Sequence, residues 1–220
     1  MDVAAVRLTC TLAAATTALL AIVGLPLAHW LATSRWRGRF LVESLVTLPL
    51  VLPPTVLGFL ILVGLGPGSP VGRLYEQATG ARLPFSFTGI LVASVISNLP
   101  FAVRPFTAAF TGMDRRLVEA SWCLGESRWR TWWRVTLPAC WPGILAGLVL
   151  AFAHAVGEFG VVLMVGGSIP GVTRTLALTI YDDVQALDYA AAARTSGWLV
   201  AFALAAMAAV HLLEQRRRAQ

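Results

Sequence analysis

Gly143–Gly166 reads GILAGLVLAFAHAVGEFGVVLMVG. A helix needs about 20 mainly apolar residues to cross the hydrocarbon core of a bilayer, and this run supplies them. Its one carboxylate, Glu158, falls in the latter part of the run. An ionisable side chain at that depth is costly and is a functional candidate for that reason. Gly157 and Gly160 flank it, and small residues there would let another helix come close.

Four further stretches, 5–31, 41–65, 87–110 and 195–213, have the same character. With 57% apolar and 13% charged residues, the chain cannot cover a soluble domain with polar surface. Backbone groups in lipid must bond internally, so the spans are expected to be helices. The expected fold is all-α, a polytopic membrane domain over 5–213 with about five transmembrane helices. Pro26, Pro53, Pro54, Pro100 and Pro105 predict kinks in the first three.

The connections alternate in charge. Arg35, Arg37 and Arg39 follow the first span, Arg115, Arg116, Arg128, Arg130 and Arg134 follow the third, and Arg216, Arg217 and Arg218 follow the last. The other two connections mix arginines with Glu76, Asp182, Asp183 and Asp188. The positive-inside rule then places the N-terminus outside and the C-terminus in the cytoplasm. Met1–Leu31 is expected to be retained, since no charged leader or cleavage site precedes it. Whether 167–194 holds an extra span or a re-entrant helix stays open.

The net charge of +6 comes from arginines in these short connections, a membrane-orientation pattern that calls for no nucleic acid. Cys10, Cys123 and Cys140 follow no metal or disulfide spacing, and His29, His154 and His211 follow no ligand spacing, so neither metal nor cofactor is expected. The chain has no lysine, hence no phosphate-binding loop of the P-loop type. Any ATP hydrolysis must come from another subunit.

The segment 114–138 is too polar to span and too patterned to be a linker. Leu117, Ala120, Ser121 and Leu124 recur at helical spacing. Gly125 follows where a left-handed residue would end that helix, and Ser127 can cap a second one. Trp129, Trp132, Trp133 and Leu137 would share one face of the second helix, as suits a bilayer interface. The unit is expected to be a helix–turn–helix beneath the membrane with one face free for a partner.

Glu119-Ala120-Ser121, Gly125, Val135 and Leu137-Pro138 resemble the signature of ABC importer permeases, with Ser121 in place of the second alanine and Val135 in place of isoleucine. The resemblance implies that this loop docks on an ATP-binding subunit. Leu48–Gly58, Ser97–Phe101, Gly157-Glu158-Phe159-Gly160, Ile169-Pro170-Gly171, Thr173, Thr175 and Ile180-Tyr181 are similar to the molybdate, tungstate and sulfate branch. Ser168 stands where that branch often has asparagine. The resemblance implies a type I importer permease fold in the inner membrane and a permease homodimer. It also implies two ATP-binding cassette subunits, an external substrate-binding protein, and molybdate as the oxyanion carried. Sulfate, thiosulfate and tungstate are the alternatives.

Two residues are candidates for a path or gate. Glu158 should not bind an anion directly, because like charges repel, so a hydrogen bond at a gate or helix contact is the expected role. Arg104 lies within two turns of the third span's end and could contact an oxyanion or snorkel to the interface. A membrane enzyme would need Glu158, Arg104 and His154 at a common depth. A scaffold without transport would leave the Glu119–Pro138 pattern without a purpose.

Overall fold

The computed structural model describes residues 2–218, and their side chains except at 209 and 212–218. The described residues form helices and no strand. They are α1 (Val3–Thr33), α2 (Arg39–Val51), α3 (Pro54–Leu65), α4 (Pro70–Thr79), α5 (Phe87–Thr111), α6 (Arg115–Cys123) and α7 (Arg128–Thr131). A π-helical turn, Trp132–Thr136, then leads into α8 (Leu137–Val156), followed by α9 (Gly160–Gly166), α10 (Leu176–Gln185) and α11 (Tyr189–Arg218). Four continuous helical bodies are long and apolar enough to cross a membrane: Val3–Thr33, Phe87–Thr111, Arg128–Val156 and Tyr189–Ala208. Counting the bent pair α2 and α3 as one span makes five.

The prolines act unequally. Pro26, Pro100 and Pro105 stay inside their helices. At Leu52-Pro53-Pro54 the chain instead turns through 116° between α2 and α3. A residue before proline is driven out of the helical region, and here two stand in succession, Leu52 at ψ 138° and Pro53 at ψ 135°. The run 41–65 is therefore two short helices at a sharp angle and not one kinked helix.

The run 143–166 also departs from the single helix expected of it. Its first part belongs to the body Arg128–Val156, which begins inside the polar loop and passes through the π-helical turn. Its last part breaks away as α9 after Gly157-Glu158-Phe159. The backbone N–H groups of Gly157 and Glu158 bond to His154 O (3.0 Å) and Ala155 O (3.4 Å), a tightening of the last turn common at helix ends. In the open stretch 167–194, the structure places α10, ten residues long and too short to cross.

The core lies where α1, α5 and α8 meet. Phe106 of α5 is fully buried among Leu20, Ala28, Val103, Ile144 and Ala151. Gly147 of α8 makes this possible, because a Cβ there would stand 2.8 Å from the Phe106 ring. Lipid tails are as apolar as these side chains, so this close packing and not water exclusion holds the helices together. A second cluster joins α3, α5 and α9 through Leu57, Ile61, Ala93, Val161 and Val165. At the α9–α10 end, Thr9 Oγ1 accepts from Leu176 N (2.9 Å) and Phe85 N donates to Val165 O (2.9 Å). The α6–α7 pair gathers at the opposite end, around the last turns of α1 and α5.

Candidate functional site

Glu158 sits in the break between α8 and α9 and is 7% exposed. α5 carries Ser94, Ser97 and Asn98 at helical spacing, one polar stripe on an otherwise apolar helix, and all three are buried. Ser97 Oγ donates to Glu158 Oε2 at 3.0 Å, and Asn98 Nδ2 donates to the same oxygen at 3.3 Å. Asn98 Nδ2 also reaches Ser94 O (2.8 Å), which fixes its carbonyl toward His154 Nδ1 at 2.9 Å. His154 Nδ1 stands 3.6 Å from Glu158 Oε2 and its ring stacks on Phe101 at 3.7 Å between centroids. Thr16 Oγ1 donates to Ser94 Oγ at 3.1 Å, so α1 joins the network.

Three helical bodies are thus cross-linked by hydrogen bonds around one carboxylate. Burial leaves Glu158 no open face on which to meet a solute, and every buried side-chain polar atom described has a partner. Glu158 and Ser97-Asn98 both stand out in the sequence, but no local feature pairs them. The signal that finds them is the stripe 94, 97, 98, which shares one face of the helix expected over 87–110.

The two flanking glycines play different parts. A Cβ on Gly160 would lie 2.7 Å from Pro54 Cβ, so Gly160 lets the start of α3 press against α9. Gly157 is exposed, and its nearest neighbours are carbonyls of its own helix at 3.7 Å and 4.0 Å. It ends α8, and no other helix among the described residues comes within 4 Å of the Cβ it lacks. Arg104 is exposed on α5, on the same uncovered strip as Ile96, Ala108 and Thr111, and forms no ion pair among the described residues. Among the described residues no hydrogen bond or ion pair joins Arg104 to Glu158 or His154.

In the loop between α5 and α8, Asp114 caps α6 through Arg116 N (2.9 Å) and Ser127 caps α7 through Arg130 N (3.3 Å). Gly125 between them has φ 80°, and a side chain there would meet nothing within 4 Å. Only backbone conformation, then, restricts that position. Ser121 and Thr131 are buried with their hydroxyls 2.9 Å apart, which binds α6 to α7. Glu119, Ala120 and Pro138 are exposed, whereas Val135 and Leu137 are half-buried. Trp129 and Trp133 are exposed and meet edge to face at 5.6 Å, while Trp132 turns inward onto His29 at 4.4 Å.

Residues 22–219 match the family of binding-protein-dependent transport system inner membrane components. The chain belongs to that family. A molybdenum transport system permease protein of Azotobacter vinelandii is 47% identical over 96% of this chain and 93% of its own length. The corresponding Escherichia coli K12 protein is 40% identical over 74% of this chain and 71% of its own. The fold is also that of solved importers. A methionine ABC transporter in inward-facing conformations aligns with a TM-score of 0.69 at 16% identity, over 97% of this chain and 96% of that one. A bacterial alginate ABC transporter complexed with its oligosaccharide-bound periplasmic protein gives 0.70 at 20% identity, over 98% and 78%. The all-α permease fold expected from the sequence is the fold observed, and the chain is a multi-pass membrane transport subunit.

Proposed function

We propose that this chain translocates molybdate, as the membrane-spanning subunit of an ATP-driven importer. The observation that carries the reading is 47% identity, along almost the whole chain, to a protein named for molybdenum transport. Two copies of the permease would enclose the path. Two copies of a separate ATP-binding cassette subunit would hydrolyse ATP, and an external binding protein would deliver the anion. The 114–138 loop and the C-terminus would face the cytoplasm, with the N-terminus outside.

In this reading the loop residues Glu119, Ala120, Ser121, Gly125, Val135, Leu137 and Pro138 form the contact with the ATPase or shape it. A push on α6 passes through the Ser121–Thr131 bond into α7. From there one helical body runs from Arg128 to Val156, a rod of roughly 40 Å at 1.5 Å per residue. Its far end is the break that holds Glu158, so the motion arrives where α5, α8 and α9 are tied together. Glu158 then serves as a gate brace, with Gly157 as the point of bending and Gly160 as the seat for α3. A molybdate dianion would be repelled by a carboxylate and drawn to a guanidinium, so Arg104, exposed on α5, is the residue placed to meet it.

Reconstitution in vesicles with the ATPase and binding protein tests this directly. ATP-dependent molybdate uptake resisting an excess of sulfate is the expected result, and uptake of sulfate in its place would overturn the substrate. Single cysteines at Arg37 and Arg130 should react with impermeant reagents only from the cytoplasmic side. Labelling from outside intact cells would reverse the topology.

A further inference from the structure

Two recesses meet near the end of α1, sharing His29, Arg128 and Trp132. The first, about 510 Å³, lies between the last turns of α1 and α5 and the α6–α7 pair. Its charged wall carries Arg35, Arg115 and Arg128 against one carboxylate, Glu119. The second, about 800 Å³, is a groove beside α1 walled by apolar side chains such as Ile22, Leu25, Trp129, Trp133 and Leu137. We propose that the joined recess holds an anionic phospholipid of the cytoplasmic leaflet, its phosphate at Arg35, Arg115 and Arg128 and an acyl chain in the groove. The assignment of leaflet rests on the topology proposed above; the site itself does not.

The pairing of the arginines selects the charge of the occupant. Glu126 takes both Arg130, at 3.0 Å, and Arg134, at 3.7 Å. Arg35, Arg115 and Arg128 form no ion pair among the described residues, and Arg128 lies over the Trp122 ring at 5.9 Å. Glu126 thus engages two guanidinium groups of this loop, whereas Arg115 and Arg128 of the loop and Arg35 of the α1–α2 connection line the recess with no ion pair among the described residues. All three are exposed, so a headgroup phosphate can reach them.

The shape selects its size and amphiphilic character. A free oxyanion would satisfy the arginines and leave the apolar groove unused. A neutral lipid would fill the groove and leave the arginines without a counter-charge. The groove begins at Ala21, and the charged recess reaches Thr33 and Arg35. Along α1, Ala21 to Thr33 spans about 18 Å, close to half of a hydrocarbon core about 30 Å thick. The recess is one leaflet deep. Trp129 and Trp133 wall the groove, tryptophan being the residue that anchors at headgroups, and basic pockets between transmembrane helices hold anionic headgroups by the same chemistry. A lipid seated here would touch α1 and α7 at once, at the root of the rod that leads to Glu158.

The test uses the full-length permease in detergent, read by native mass spectrometry with phosphatidylglycerol and phosphatidylcholine of matched chains. The expected result is preferential retention of phosphatidylglycerol, weakened roughly fivefold for each guanidinium removed in Arg35→Gln, Arg115→Gln and Arg128→Gln. Binding of phosphatidylcholine, whose phosphate charge is offset by its choline, should weaken much less. Arg73→Gln, in α4 and outside the recess, should leave both lipids unaffected, and Leu25→Trp, which fills the groove, should weaken both. Equal retention of the two lipids, or a preference that survives the triple substitution, would overturn the proposal. So would displacement of phosphatidylglycerol by millimolar inorganic phosphate alone, which would make this a free-anion site. Cysteine labelling at Arg37 from outside would move the site to the other leaflet and sink the topology, without touching the binding result.

Discussion

Glu158 and Ser97 are 61 residues apart in sequence, yet the Ser97 hydroxyl donates to Glu158 Oε2 at 3.0 Å inside the bundle. A carboxylate can be buried among apolar helices only if its lone pairs are met. Here α5 meets them, and the break after Val156 lets the side chain point at α5.

Replacing Glu158 separates charge from hydrogen bonding. Glu158→Gln keeps an oxygen that can accept from Ser97 and Asn98, whereas Glu158→Leu removes that acceptor and leaves both donors only their bonds within α5, at a cost of about 1 kcal/mol for each hydrogen bond lost. Transport per molecule at equal membrane abundance should fall in the order wild type, Gln, Leu. Indistinguishable uptake by both variants would remove Glu158 from the gate.

A double-mutant cycle checks the Ser121–Thr131 tie. Ser121→Ala alone leaves a hydroxyl that is 2% exposed without its partner, which should lower stability by about 1–3 kcal/mol. Ser121→Ala with Thr131→Val removes both polar groups and should recover most of that loss. If thermal unfolding in detergent shows the two changes to be additive, the hydroxyls are not coupled.

Gly125 faces open space, so any effect of a side chain there comes from its positive φ. Gly125→Val should cost about 1–2 kcal/mol and disrupt the turn, while Gly125→Asn, which tolerates the left-handed region, should be milder. The readout is co-purification with the ATPase subunit and stimulated ATP hydrolysis. Equal behaviour of the two variants would show that the turn geometry does not matter for coupling.

The glycines beside Glu158 predict opposite outcomes for one added methyl group. Gly160→Ala forces a Cβ to 2.7 Å from Pro54 Cβ, an overpacking of about 1–3 kcal/mol that should lower the yield of folded protein. Gly157→Ala meets only carbonyls of its own helix and should stay within about 0.5 kcal/mol of wild type. A destabilised Gly157→Ala with a normal Gly160→Ala would invert the assignment of roles.

The sequence by itself determined that the chain is a helical membrane protein, because hydrocarbon admits only helices where long apolar runs occur singly. The turn at Gly125 and the cap at Ser127 were equally legible, since capping and left-handed geometry are local chemistry. The reading of 41–65 as one kinked helix and of 143–166 as one helix failed for a physical reason. Apolar length and proline content are the same for a kinked helix and for two pieces at 116°, and only the angle at Leu52-Pro53 tells them apart. Likewise nothing local distinguishes Gly157 from Gly160, or shows that Ser97 and Asn98 are the partners of Glu158. Those are facts about which helix lies against which, decided by packing between residues far apart in the chain, and they exist only once α3, α5, α8 and α9 have met.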